Sequence, residues 1–454
     1  MPAYTNSNPA VSLPRFNGGY RVAMDFSGAL LYRQAFPRCE ALPMSQALLG
    51  LPGIILLAWL SSSNRRQFPL RLVIAGLLAQ FVLAALFLKV PLLQDALLLV
   101  NRLVLTLEAA TGQGTAMVFG FLGGAPAPFE ITGPQHSFVL AFRALPIVIV
   151  FAALSALLWH WRIIPVAIAG LARLLRHSMG LGGAVSMGGA SSIFVGMVES
   201  PLLIRPHLQT LSNSELFMLM SCGMATVAGT VMGLYAGILA NTLPTALSHI
   251  LVASLISAPA AIMLAAVMLP PGEGNHDAPI NMQSHYSGSM DALVSGTGEG
   301  LRLLANIIGM LIVFVALVYL ADALLGLIPT GGAPLTLVGL FGQLLTPLAW
   351  LIGIPWAEAN TAGELIATKV FINELVAYLD LAALESGVLS AHSRLIMTYA
   401  LCGFANFGSL GIMIGGLTAM CPERTADILR LAPRAIWSGL LATCMTGCIV
   451  GLIL

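Results

Sequence analysis

The chain has 454 residues, of which 58% are hydrophobic and only 9% are charged. Soluble domains carry about 25% charged residues, so this composition excludes an ordinary soluble protein and indicates that lipid solvates much of the surface. The net charge of +1 provides no basic field for nucleic acid.

Residues 1–43 form a polar extension that contains four arginines, Arg15, Arg21, Arg33 and Arg38. The extension lacks the compact apolar stretch and the small-residue cleavage site of a secretory signal. We expect it to be poorly ordered, with Met24 or Met44 as alternative start positions.

Apolar runs of membrane-crossing length follow this extension. A helix needs about 20 apolar residues to cross the hydrocarbon core. Eight runs meet this requirement, near residues 46–61, 71–88, 138–160, 216–240, 246–269, 303–328, 394–419 and 432–454. The pattern predicts an all-α polytopic membrane protein with about eight transmembrane helices.

Residues 90–134 depart from the pattern of spans. Leucine and valine alternate there with polar residues, Gln94, Asp95, Asn101 and Arg102. This alternation predicts an amphipathic helix that lies along the membrane interface, and the Gly/Pro-rich stretch 120–133 predicts a loop after it. We interpret residues 44–179 as an N-terminal scaffold and residues 270–300 as an exposed connection between spans five and six.

Two further apolar regions, residues 180–206 and 335–380, are interrupted by glycine and proline and carry charged residues. Broken backbone is tolerated at membrane depth only where it is buried in protein or lines a wet cavity. Both regions therefore predict re-entrant helical hairpins. Each precedes a span that glycine interrupts, which is the pattern of an internal repeat around a central site. Residues 180–454 are interpreted as the transport core.

Polar groups at membrane depth are the candidates for chemistry, because a carboxylate there costs several kcal/mol unless it pairs or binds something. The candidates are Glu199, Glu374 and Asn406. Carboxylates and amides suit sugar hydroxyls, and an aromatic ring such as Phe404 stacks on a heterocycle. A pocket of these residue types suits a ribonucleoside.

Structural roles compete with this interpretation. Glu374 and Lys369 form an ion pair in one alternative, as do Glu199 and Arg205, while Asn406 caps a helix break. The histidines are expected to be interfacial or hydrogen-bonded rather than proton carriers, His160, His177, His207 and His249. Aromatic residues outside the motifs, including Tyr235, are expected to mark interfaces or packing.

No metal site or cofactor is expected, because the six cysteines show no CxxC or Cys/His ligand spacing. A membrane-embedded enzyme that uses Glu199, Glu374 or a histidine is a remote alternative. The chain lacks HExxH, GxSxG and a Gly-rich phosphate loop.

Three segments in the same order resemble signatures of the concentrative nucleoside transporter family. Residues 368–380 read TKVFINELVAYLD, although Ala367 stands where the family usually has glycine and Leu375 replaces phenylalanine. Residues 399–416, YALCGFANFGSLGIMIGG, are similar to the second signature almost letter for letter. Residues 196–208, GMVESPLLIRPHL, resemble the first hairpin of the family. The resemblance covers residues 45–454.

This resemblance implies a cation:nucleoside symporter with eight spans, two re-entrant hairpins and an interfacial helix, assembled as a homotrimer in the bacterial inner membrane. It also implies elevator-type movement of the substrate-carrying domain. Family roles carry over to Glu374, Asn406 and Ser409 for ribose, to Phe404 for a wall contact, and to Glu199 as the carboxylate of the first hairpin.

Two departures from the family pattern bear on specificity. Met197 and Val198 stand where many relatives have Gln-Thr or Gln-Ser that contacts the base, which leaves base preference open and admits a different polar solute. In the ion site that the resemblance implies, Ser192 replaces asparagine, beside Val195 and Thr226. A weakened sodium site leaves H+ and Na+ as alternatives, with Glu199 or Glu374 as the proton carrier.

Overall fold

The computed structural model describes residues 44–130, 138–240, 242–272, 286–329 and 334–454. The expectation for residues 1–43 lies outside the described residues. Within the described ranges the backbone forms helices joined by turns and loops, without β-strands. This arrangement confirms the all-α fold class.

The described part of the predicted scaffold contains six α-helices. They are α1 (Met44–Leu60), α2 (Leu70–Lys89), α3 (Pro91–Phe119), α4 (Leu140–Arg143), α5 (Ile147–His160) and α6 (Ile163–Met179). The predicted amphipathic helix is α3, and it ends where Gly120 adopts a φ of 58°, a backbone conformation that disfavours other residues. Sequence patterns assigned no element to α6, because its two arginines, Arg173 and Arg176, interrupt a short apolar run.

The predicted core contains twelve helices among the described residues. They are α7 (Gly183–Ser191), α8 (Glu199–Leu203), α9 (Asn213–Ala225), α10 (Gly229–Leu239), α11 (Ala246–Met268), α12 (Ser289–Leu325), α13 (Leu337–Leu351), α14 (Trp356–Phe371), α15 (Glu374–Ala383), α16 (Ala391–Leu401), α17 (Phe407–Met420) and α18 (Thr425–Ile453).

Six of the described helical segments are long and apolar enough to cross a membrane. They correspond to predicted spans two to six and eight. The first predicted span is the shorter helix α1, and the seventh is divided between α16 and α17.

Both predicted glycine-interrupted spans are broken helices. The first divides into α9 and α10 around residues 226–228, and the second into α16 and α17 around residues 402–406. Each follows a helical hairpin, formed by α7 and α8 in the first half and by α14 and α15 in the second. The same order of elements therefore occurs in both halves. It consists of the first arm of a hairpin, the tip, the second arm, a half-helix, a break and a second half-helix.

The predicted second hairpin, residues 335–380, begins too early. Its first part is the separate helix α13, which ends before Gly353, and the hairpin itself starts at Trp356. Gly353 has a φ of 108°, and Pro355 precedes the first residue of α14. These two residues end one helix and start the next.

The predicted connection 270–300 is also shorter than expected, because α12 begins at Ser289 and includes its last part. Asp291 in the first turn accepts hydrogen bonds from the backbone and hydroxyl of Ser287, at 2.9 and 3.0 Å. Polar residues on this first part are the exposed face of a continuing helix.

Helix α11 lies at the centre of the described core and is buried along almost its whole length. It packs against α2, α9 and α18. Alanine at Ala258, Ala261 and Ala265 provides the small surfaces that let helices approach closely in a membrane. The broken helices are thus held against a rigid central element.

Close packing of α13 on α14 requires glycine at one position. A Cβ added to Gly363 meets the carbonyl oxygen of Gly342 and lies 3.0 Å from the backbone nitrogen of Thr346. Neither atom belongs to a flexible side chain, so the helices must separate to admit a methyl group.

We expect Gly363→Ala to lower stability by about 1–3 kcal/mol relative to Gly170→Ala, because overpacking costs this much. Gly170 is also helical, but an added Cβ meets nothing within 4 Å there, so both variants share the gain in helix propensity. Thermal unfolding in detergent measures the difference. Equal midpoints for the two variants would show that the α13–α14 interface adapts without cost.

Candidate functional site

The candidate site lies where the second hairpin meets both broken helices. Glu374 is the first residue of α15, and its carboxylate is buried, with 5% of the residue exposed. Its Oε1 accepts a hydrogen bond of 2.6 Å from the hydroxyl of Tyr235 on α10. Its Oε2 accepts one of 2.7 Å from Nδ2 of Asn406. One carboxylate thus joins three elements of the core.

Asparagine caps both helices that begin at this site. Asn373 accepts from the backbone nitrogen of Val376 at 2.9 Å, and Asn406 accepts from that of Ser409 at 2.7 Å. The first turn of a helix has backbone N–H groups without helical partners, and these caps satisfy them. Asn406 therefore caps α17 and binds Glu374 at the same time, so the capping alternative and the site role coexist.

The alternative ion pairs do not form. Lys369 Nζ donates instead to the carbonyl of Ala400 at 2.9 Å and to Oγ1 of Thr443 at 2.8 Å. Among the described side chains, the ion pairs within 4 Å join Asp427 to Arg424 and Arg430. Lys369 is consequently a buried cation with neutral hydrogen-bond partners.

Tyr235 was expected to mark an interface or packing, and it does pack, but it also makes a polar contact that the sequence did not predict. The side chain is buried, packs on Tyr378 with ring centroids 5.1 Å apart, and donates to Glu374. The sequence feature that could have indicated this polar contact was the position of Tyr235 in the second half of an interrupted span. The sequence gives no indication of the partner, which is 139 residues away.

The other predicted substrate residues fall into two groups, one at the second break and one at the tip of the first hairpin. Asn406 and Ser409 are buried and Phe404 is half-buried at the same break. Met197 is buried against Gly223 of α9, and Val198 packs against Gly416 of α17. The first-hairpin tip is therefore in contact with the half-helices of both breaks.

Glu199 occupies in the first hairpin the position that Glu374 occupies in the second, since each is the first residue of the second arm. Unlike Glu374, it is exposed, and its carboxylate lies back against Gly196. The hairpin behind it is held by Ser200, whose Oγ donates to the carbonyl of Gly188 at 2.6 Å.

The predicted ion residues bring the first hairpin to the first break. Thr226 Oγ1 lies 2.8 Å from the carbonyl oxygen of Ser192 and 2.9 Å from that of Cys222. The hydroxyl of Ser192 donates back into its own helix, to Gly189 at 2.8 Å. Val195 is half-buried three residues further on. Ser192 and Thr226 are in direct contact, with several carbonyl oxygens nearby.

Comparison with known families and proteins agrees with this architecture. Models described as Na+ dependent nucleoside transporter N-terminus and C-terminus match residues 49–122 and 249–451. A model described as a nucleoside recognition gate matches residues 141–242.

Individual relatives extend over nearly the whole chain. The nucleoside permease NupC of Helicobacter pylori is 35% identical, over 89% of this chain and 97% of its own. CNTnw in an inward-facing substrate-bound state is similar with a TM-score of 0.82 and 34% identity, covering 90% of this chain and 98% of that one. A CNTnw variant in an outward-facing state gives a TM-score of 0.80 and 35% identity, covering 90% and 97%.

Paired hairpins, broken helices and a buried carboxylate between them are the architecture of a helical membrane transporter. The matched regions identify the family: the chain belongs to the concentrative nucleoside transporters.

We expect Tyr235→Phe to raise the KM for nucleoside about tenfold, because a hydrogen bond to a charged group contributes about 1.5–3 kcal/mol. Tyr378→Phe is the matched control, since Tyr378 donates to the carbonyl of Thr398 rather than to Glu374. Initial uptake rates over a range of nucleoside concentrations provide the comparison. Equal KM values for both variants would show that the Tyr235 hydroxyl does not orient Glu374.

Proposed function

We propose that the chain is a cation:nucleoside symporter of elevator type. The proposal depends above all on one observation: the buried carboxylate of Glu374 is held by Tyr235 and Asn406 where both broken helices meet the second hairpin. A solute bound there contacts elements of both halves of the core. Movement of the core would carry the solute with it.

The polar end of this site suits ribose. Each carboxylate oxygen of Glu374 accepts one hydrogen bond from the protein and retains capacity for another. A vicinal diol supplies two hydroxyl donors for these positions. We assign Glu374, Asn406 and Ser409 to ribose, and Phe404 to the wall of the pocket.

The other end of the site is apolar. Met197 and Val198 present a thioether and an aliphatic group at the tip of the first hairpin, ahead of Glu199. Apolar walls accept the faces of many bases but do not read their polar edges, so we propose broad base selectivity. The same two residues favour the second candidate, a different polar solute on the same fold.

The exposed apolar surface supports placement in a membrane and assembly with other subunits. The apolar middle of α12 is exposed along its length. Lipid and neighbouring subunits are the partners that such a surface accepts. We propose a homotrimer in the bacterial inner membrane. Elevator movement is supported by the similarity to CNTnw in both inward-facing and outward-facing states.

Uptake by proteoliposomes tests the substrate class. We expect labelled uridine and adenosine both to enter. We expect Glu374→Gln to reduce uptake about a hundredfold, because neutralising the carboxylate weakens two hydrogen bonds to a charged group, each of which contributes about 1.5–3 kcal/mol. Glu385→Gln, at an exposed carboxylate in the loop after the second hairpin, is the control. Uptake of another polar solute but of no nucleoside would favour the second candidate.

Coupling to protons is tested by imposing gradients at fixed voltage. We expect a pH gradient alone to drive uptake, because the Ser192 hydroxyl is bonded to Gly189 and makes a poor replacement for an asparagine amide. Ser192→Asn is expected to create sodium-driven uptake, with Ser192→Ala as its control. Sodium-driven uptake by the parent protein, unchanged in Ser192→Asn, would show that Ser192 has not weakened the sodium site.

A further inference from the structure

The end of each first half-helix meets the first arm of the preceding hairpin. In the first half, Thr226 caps the C-terminus of α9 and its hydroxyl reaches the carbonyl of Ser192, at the end of α7. In the second half, Lys369 near the end of α14 reaches the carbonyl of Ala400, near the C-terminus of α16. The two contacts join corresponding elements of the repeat, although the donor side chain lies on the half-helix in the first half and on the hairpin arm in the second.

The two contacts differ in charge. A helix C-terminus presents carbonyl oxygens without helical partners and the negative end of the helix dipole. At the end of α9 the carbonyl of Cys222 accepts from the backbone and the neutral hydroxyl of Thr226, and it lies beside the proposed coupling-ion residues Ser192 and Thr226. At α16 they meet the ammonium of Lys369.

The surroundings of Lys369 are those of a bound cation. The side chain is completely buried, with 0% exposed, and its hydrogen-bond partners are the carbonyl of Ala400 and the hydroxyl of Thr443. Thr443 Oγ1 itself donates to Leu440 at 3.0 Å, so it offers Lys369 an acceptor lone pair. A buried charge is costly without compensation, and here oxygen dipoles provide it, as they do for an alkali ion.

The two breaks touch beside this ammonium. A Cβ added to Gly403 lies 2.9 Å from the carbonyl oxygen of Ala225 and 2.7 Å from Cγ2 of Thr443. On the opposite side, Ser254 of α11 accepts from the backbone nitrogen of Val227 at 3.2 Å. A shift of the second break therefore moves Asn406, three residues beyond Gly403, relative to Glu374.

We propose that Lys369 is a built-in cation of the second half of the core. Its ammonium lies at the end of α16, in the place that corresponds to the ion residues Ser192 and Thr226 that the family resemblance implies for the first half. It is a positioning residue, since it holds the second break so that Asn406 reaches Glu374. This inference uses the ion site of the proposed function as its reference. It predicts that removal of the ammonium leaves a vacancy that a small monovalent cation fills.

Lys369→Ala tests the proposal by chemical rescue. We expect the variant to raise the KM for uridine about tenfold or more, because charge-assisted hydrogen bonds contribute about 1.5–3 kcal/mol, with a smaller change in kcat. Added propylammonium should restore much of the lost affinity, because it supplies an ammonium and a short alkyl stem. Lys89→Ala is the matched control: Lys89 is the other lysine of the sequence and lies exposed at the end of α2.

A second measurement does not depend on nucleoside transport. In detergent without nucleoside, we expect propylammonium to raise the thermal midpoint of Lys369→Ala while leaving the parent and Lys89→Ala unchanged. If the parent transports no nucleoside, this result still decides the role of Lys369. Parental KM together with no thermal response to propylammonium would overturn the proposal.

Thr443→Val covers the case in which Lys369→Ala does not fold. It removes one acceptor while conserving shape, so we expect the KM to rise severalfold with assembly intact. Thr446→Val is its control, because Thr446 lies on the same helix and contacts Ser257 of α11 instead. Equal KM values in these two variants would contradict a positioning role for the ammonium.

Discussion

The structure of the core depends on how broken backbone is satisfied at membrane depth. Each helix end there exposes N–H or carbonyl groups that water would otherwise bind. Side chains from distant segments supply the missing partners: Asn373 and Asn406 cap the starts of α15 and α17, and Lys369 binds a carbonyl near the end of α16. The groups that make the breaks tolerable are also the groups that assemble the site.

The Glu374 carboxylate connects these capped helix ends to the proposed solute site. Its two oxygens take donors from α10 and from the start of α17, which belong to different halves of the repeat. Neither half-helix can shift without lengthening one of these bonds. The site is therefore sensitive to the relative positions of the two halves, while the central helix α11 keeps both breaks in contact through Ser254.

Sequence patterns predicted the parts of this arrangement that have a local cause. Glycine and proline mark the breaks, and charged residues inside apolar runs mark Glu374 and the hairpin tips. The hydrogen bond from Tyr235 to Glu374 was not predicted, because it depends on a partner in a distant segment. The boundary between α13 and α14 was missed because both are apolar, and α6 because its amphipathic pattern is short. Long-range pairing and helix boundaries require the packed structure.

The repeat also shows why similar halves need not do the same work. Both present a half-helix C-terminus to the first arm of a hairpin, and both require positive potential there. A tethered ammonium supplies it permanently at Lys369, whereas the hydroxyls of Ser192 and Thr226 supply only dipoles. Only the arrangement in the first half, with the hydroxyls of Ser192 and Thr226, leaves room for an exchangeable charge. A charge that exchanges would couple transport to a gradient, whereas a permanent one fixes geometry, so the proposed division of roles assigns ion coupling to the first half and rigidity of the site to the second.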